Sequence, residues 1–334
     1  MKEAYLYKKL AKNKVRCDLC AHRCIIDDGN KGKCGVRKNT EGALYSLVYD
    51  KVISENVDPI EKKPLFHFLP GTMSLSIATP GCNFKCFFCQ NWQISQMPCD
   101  YNIIDGRAIS PERLVKDAQL YNCESISYTY TEPTIYFELA YDTAKLANEK
   151  NIKNVFVTNG FMTKECLVMI KPYLNAANVD LKSFSEDFYR DRVGGRLRPV
   201  LDNIRLMSEF GIWVEVTTLL IPGLNDSSEE LESLAKFLTS ISDKIPWHIS
   251  AYYPQYKSDI PPTEIQSIIK AIDIGKRAGL KYVYGGNIPE SKYENTSCPN
   301  CKEILIERRG FSVINSKIKN NICTGCGAVI DGIF

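Results

Sequence analysis

The 334-residue chain carries 42 Lys and Arg against 39 Asp and Glu, a formal net charge of +3, with 44% hydrophobic and 24% charged residues. That is the composition of an ordinary globular protein able to bury a substantial core, and a charge so small and dispersed leaves no electrostatic footprint for nucleic acid. No apolar run approaches the roughly 20 residues of a spanning helix, and residues 1–16 lack the apolar core of a signal peptide, so a cytoplasmic protein with no membrane partner is expected.

In chain order, the first feature is a run of cysteines. Eleven of the chain's 14 cysteines stand at metal-ligand spacing, which in a reducing compartment points to metal binding or catalysis rather than disulfides. Cys17, Cys20, Cys24 and Cys34 form a compact four-thiolate set that suits either zinc or an auxiliary iron–sulfur cluster, and His22 within it is placed to replace a thiolate.

From about residue 73, short β-branched runs alternate with longer amphipathic ones. Strands are predicted to begin near 73, 125, 154, 178, 212, 246 and 282, with helices between them. Ser110-Pro111-Glu112 reads as an N-cap with Pro at the first helical position, and 227–240 opens with Ser and acidic residues that suit a helix N-terminus. Six or seven βα units imply an α/β fold, a partial (β/α)6 TIM-like barrel, flanked by two small Cys-rich modules. The expected boundaries are 1–70, 71–290 and 291–334. Chemistry in such a barrel gathers at the carboxyl ends of the strands, where Asn159, Asp180, Lys182 and Asn225 fall.

Cys82-Asn-Phe-Lys-Cys86-Phe-Phe-Cys89 follows the first strand and a Pro80-Gly81 turn. Three thiolates on one loop are one short of a closed site. Structural zinc and ordinary cubanes take four protein ligands, whereas a reactive metal keeps a position open. The alternative is a closed site completed by Cys99. At the far end, Cys298-x2-Cys301-x21-Cys323-x2-Cys326 has the two-knuckle spacing of a zinc ribbon, with a further iron–sulfur cluster as its rival. Arg308-Arg309 within that module reads as a solvated turn. Cys99, Cys123 and Cys166 read as small buried hydrophobes.

The central spacing, with Phe88 just before the last cysteine, resembles the defining motif of the radical SAM superfamily. The resemblance implies a [4Fe-4S] cluster on Cys82, Cys86 and Cys89 whose open iron binds S-adenosylmethionine (SAM). It also implies reductive cleavage of SAM to a 5′-deoxyadenosyl radical that abstracts hydrogen from a substrate. Thr129-Tyr130-Thr131-Glu132-Pro133 occupies the place of the family's Gly-Gly-Glu segment, with both glycines replaced, which makes Thr131 and Glu132 SAM-binding residues. Asp180-Leu181-Lys182 resembles the Asp-x-Lys of the glycyl-radical-enzyme activases, whose lysine meets the methionine carboxylate. Thr158-Asn159-Gly160 matches them as well, although Val157 stands where they carry an acidic cation ligand. His248 falls where they place a ribose-facing histidine, and a single strand histidine is equally a packing residue.

Taken end to end, the order of the Cys-rich start, Lys62-Lys63-Pro64-Leu65-Phe66-His67-Phe68, the cluster loop, Thr129–Pro133 and the terminal ribbon resembles the AmmeMemoRadiSam-system radical SAM enzymes. That group is similar to the pyruvate formate-lyase activating enzymes. The resemblance implies an unidentified substrate, an electron donor such as flavodoxin or ferredoxin, and AMMECR-type and Memo-type proteins, or another protein substrate, as partners. Two alternatives stay open: a glycyl-radical-enzyme activase proper, and a metal-bearing scaffold that docks partners through its Cys modules.

Overall fold

The computed structural model describes residues 1–289 and 291–334, without the side chain of Ser291, so the boundary expected at 290 lies outside the described residues. Seven parallel strands form one sheet: β1 (Met73–Ala78), β2 (Ser125–Tyr128), β3 (Lys153–Thr158), β4 (Ala176–Asp180), β5 (Trp213–Leu220), β6 (Trp247–Ala251) and β7 (Val283–Gly286). Each lies where the β-branched runs place it. Their order in the sheet follows their order in the chain, and Ser54–Pro59 adds an antiparallel strand outside β1.

The crossovers hold α1 (Pro111–Leu120), α2 (Phe137–Glu149), α3 (Lys164–Ile170), α4 (Leu197–Glu209), α5 (Ser228–Ile241) and α6 (Ile265–Arg277). Ser110 caps α1, accepting the Arg113 N–H with Pro111 at the first helical position. Ser227 caps α5 through the Glu230 N–H, with Glu229 and Glu230 in the first turn. Parallel strands are covered on both faces, so their outer residues meet helices: Trp247 of β6 packs so tightly on α6 that only Gly275 fits there, an added Cβ lying 2.9 Å from the indole. No helix among the described residues is long and apolar enough to cross a membrane.

The period of two along each strand sorts its inner face into two layers. Lys182, Leu219 and Ser250 stand near the carboxyl ends around a cavity, while Asn178, Glu215 and His248 lie deeper. The segment 60–69 plugs the sheet below them. Ile60, Leu65 and Phe68 pack with Val155 of β3 and Ala176 of β4, and Asn178 donates to the Pro64 carbonyl at 2.7 Å. The Glu215 carboxylate accepts the Phe66 and His67 N–H groups at 2.9 and 2.8 Å, the Trp213 indole N–H at 3.0 Å and His248 Nε2 at 2.7 Å. Burial opposes its charge, but these donors, His248 foremost, keep its pKa below the usual carboxylate value.

The carboxy-terminal strands hang on this plug through a directional hydrogen-bond chain. Arg308 donates to Thr296, Thr296 to Tyr284 of β7, Tyr284 to His67 Nε2 at 2.5 Å, and His67 Nδ1 to the Asp331 carbonyl at 2.6 Å. Arg308 is therefore not a solvated turn residue. It is 2% exposed, sits 4.1 Å from the centre of the Phe66 ring and donates to the Phe66 carbonyl. At the other end, Cys17, Cys34 and Val36 share the core of the sheet. A buried two-pronged pair between Arg37 and Glu138 of α2, both bonds 2.9 Å, ties the amino-terminal residues down.

The chain of donors needs a neutral His67, and burial lowers its pKa from 6.5 to about 4. The unfolded chain takes up that proton first as pH falls, so this contribution is intact above pH 6.5 and is lost toward about 4. Thermal unfolding of wild type should fall more steeply across that window than that of His67→Gln; equal slopes would refute the assignment.

Candidate active site

Gly81 starts the cluster loop at φ +111°, where an added Cβ would meet Val36 at 2.9 Å. Beyond it Cys82, Cys86 and Cys89 face one cavity of about 270 Å³. The loop is held by the Phe84 N–H to Cys82 Sγ (3.4 Å), Lys85 N–H to the Val193 carbonyl (2.9 Å) and Ser95 Oγ beside Cys89 Sγ (3.2 Å). Burial, with the Glu132 carboxylate adding to it, pushes the Cys82 thiol well above the ordinary range. Burial likewise raises Cys86 to about 12, against the pull of Lys182. Metal binding there must displace protons.

The same cavity gathers Phe88, Thr131, Glu132, Asn159, Asp180 and Lys182. Lys182 Nζ bonds Asp180 at 2.8 Å; burial works against the ammonium, but Asp180 and the neighbouring Cys86 raise its pKa. Asn225 acts from behind by donating to the Lys182 carbonyl at 2.7 Å. Glu132 is engaged at both oxygens: Oε1 accepts from the Thr134 N–H and hydroxyl and from Thr158 Oγ1 (2.7 Å), and Oε2 from the Asn159 N–H (2.8 Å). It ties the end of β2 to the end of β3. Thr131 Oγ1 is similarly engaged with the Thr79 carbonyl at 2.8 Å. Gly160 ends that turn at φ +69°, and an added Cβ would lie 2.9 Å from Val179.

His248 does not join this group. It lines a separate cavity of about 150 Å³ one layer down, with Phe66 edge-on at 4.7 Å and Tyr284 stacked at 5.2 Å. Cys99 does not complete the triad either, because its Sγ meets the Lys33 carbonyl at 3.4 Å. Sequence reasoning passed over Tyr130, Thr217 and Ser250, which also line the cavity. The last two follow from the inward period on β5 and β6. Tyr130 stands in place of a glycine and keeps a left-handed φ of 60°, held by its hydroxyl on Asp58 and by Lys63 Nζ, 4.7 Å from the ring centre.

The donor set fits an iron–sulfur cluster. Three soft thiols line a roomy cavity with no fourth beside them among the described residues, and they do not close to single-ion distance. The carboxy-terminal set differs. Cys298, Cys301, Cys323 and Cys326 place their sulfurs within 4.8 Å of one another, with Cys298–Cys326 at 3.7 Å and Cys301–Cys323 at 3.8 Å. A tetrahedron with metal–sulfur bonds of about 2.3 Å has edges of about 3.8 Å, so this set fits one tetrahedral ion.

The Radical SAM superfamily profile matches residues 76–238, the span from β1 through most of α5. Residues 76–238 are a radical SAM domain. The chain is 46% identical over 335 residues to the uncharacterized protein MJ0808 of Methanocaldococcus jannaschii, covering 99% of each. It is 22% identical to a pyruvate formate-lyase-activating enzyme of Clostridium pasteurianum, over 50% of this chain and 72% of that one. A radical SAM methyltransferase from Sphaerobacter thermophilus shares the fold at a TM-score of 0.51, with 17% identity over 65% of this chain and 67% of that one. A radical SAM domain implies an enzyme that uses a [4Fe-4S] cluster and SAM.

An added Cβ at Gly195 would sit 2.4 Å from the Phe84 ring. Gly195→Ala should therefore displace the cluster loop, costing about 1–3 kcal/mol and lowering retained iron per chain. An unchanged melting temperature with full iron would show that this contact does not hold the loop.

Proposed function

We propose that this chain cleaves SAM at Cys82, Cys86 and Cys89 and belongs to the AmmeMemoRadiSam-system group. The observation that carries the reading is the set of three loop thiols sharing one cavity with an ammonium–carboxylate pair. When bound, the [4Fe-4S] cluster supplies the electron that breaks a sulfur–carbon bond of SAM, giving a 5′-deoxyadenosyl radical able to take hydrogen from a substrate.

Cys82, Cys86 and Cys89 would hold the cluster and leave it open to the amino and carboxylate groups of SAM. Lys182 offers a point charge to the methionine carboxylate, held in place by Asp180 and by Asn225 through its backbone. Asn159 and Thr131 present polar groups at the cavity wall. Glu132 aligns the two strand ends, and its Oε2, with a single protein donor, keeps a lone pair for the methionine ammonium. Phe88 shields the cluster loop, and His248 supports β6 from below through Glu215. The curled sheet is read as a partial (β/α)6 barrel with β7 as an added strand.

The order of motifs along the chain supports the group assignment. AMMECR-type and Memo-type proteins are its proposed partners, with a flavodoxin or ferredoxin as electron donor. The likeness to a pyruvate formate-lyase-activating enzyme favours a protein substrate, with a backbone glycine as the hydrogen source. The carboxy-terminal tetrahedral set is assigned to zinc.

Cys86→Ala should abolish both the cluster's visible absorption and 5′-deoxyadenosine formation under dithionite; cleavage persisting at the wild-type rate sinks the proposal. Lys182→Met should weaken SAM affinity roughly tenfold or more, the loss of one charged hydrogen bond, in equilibrium dialysis of the reconstituted protein. Affinity within a factor of two of wild type would remove Lys182 from the site.

A further inference from the structure

We propose that Cys17, Cys20, Cys24 and Cys34 hold a second [4Fe-4S] cluster, and that Asn83 forms the wall across which it passes an electron to the central cluster. The relay rests on the function proposed above. The cluster itself does not.

The four thiols line one cavity with Arg37 and Asn83. Yet among the described residues they form no group within single-ion distance, unlike the carboxy-terminal set at 3.7 and 3.8 Å. A four-thiolate site too wide for one ion is suited to a cubane, whose irons stand between the sulfurs. His22 is not a replacement ligand through Nε2, which is spent on the Asn83 carbonyl at 2.8 Å.

Two orphan donors mark the cavity independently. Arg37 and Asn83 are 2% and 4% exposed, and Arg37 Nε and Asn83 Nδ2 have no partner. Arg37 already matches its charge with Glu138 through both Nη atoms, so what it offers the cavity is an N–H. Buried donors without acceptors are rare, and the sulfurs of an anionic cluster are acceptors for both.

The position of this cavity gives it a task. The Cys20–Cys24 loop docks on the turn after β3, with the Ala21 N–H on the Phe161 carbonyl at 2.9 Å. Asn83 follows Cys82 directly in the chain, and its Oδ1 accepts from Asn159 Nδ2 at 2.7 Å. One residue thus belongs to the second cavity and is peptide-bonded to a ligand of the first. In the step proposed, the reduced second cluster is oxidised by one electron and the central cluster is reduced by one. A ferredoxin- or flavodoxin-class protein restores the lost electron.

The test begins with the triple variant Cys82→Ser, Cys86→Ser, Cys89→Ser, reconstituted anaerobically with iron and sulfide. It should keep about four irons and a [4Fe-4S] EPR signal on reduction, against about eight irons in wild type, and should lose them when Cys20→Ser is added. A triple variant without iron, or one whose amino-terminal set carries zinc, overturns the second cluster. For the relay, Cys20→Ser should lower SAM cleavage driven by a ferredoxin at least tenfold relative to cleavage driven by dithionite. An unchanged ratio overturns the relay and leaves the iron count standing. Wild type with about eight irons that makes no 5′-deoxyadenosine under dithionite refutes the proposed function, and the relay with it, but not the second cluster.

Discussion

The Glu215 carboxylate is the point on which the architecture turns. Four donors from three stretches of chain converge on it: two consecutive backbone amides of the plug, the Trp213 indole beside it on β5, and His248 on β6. A buried charge is tolerable only when its oxygens are filled, and here they are filled by groups that would themselves be orphaned without it. The plug is thereby fixed beneath the sheet, and the carboxy-terminal strands are fixed to the plug through His67, Tyr284 and Arg308. With the lower end closed, the space inside the sheet opens at the carboxyl ends of the strands, where the cluster loop lies.

One strand periodicity serves both ends. Steps of two residues along β5 go from Glu215 in the floor to Thr217 and then Leu219 in the cavity; along β6 one such step goes from His248 to Ser250. Rigidity below and chemistry above are consecutive inward positions of the same strands, which is why a histidine placed one layer too deep becomes a supporting residue. Glu132 shows the same economy. Its carboxylate joins two strand ends while also lining the cavity they border.

The three cysteine groups differ less in residue type than in spacing in space. The terminal four close to the edge of a single-ion tetrahedron, the central three surround a cavity with room for more than a metal, and the amino-terminal four line a narrow cavity with two unpartnered donors. Sulfur separation, set by how far each loop is spread by its neighbours, distinguishes sites that spacing along the chain leaves alike.

The sequence by itself determined the seven parallel strands, the caps at Ser110 and Ser227, and the loop of three thiols, because these depend on local period, capping chemistry and residues a few positions apart. It also brought Lys182, Asp180 and Asn159 to the right end of the sheet, since strand ends share one side of a parallel sheet. Only the tertiary structure decided the depth of His248, the burial of Arg308, the strand-joining bonds of Glu132 and the meeting of Asn83 with the amino-terminal cysteines. Each of these hangs on partners tens to hundreds of residues away. Periodicity reports which face a side chain takes, not which distant group fills the space before it.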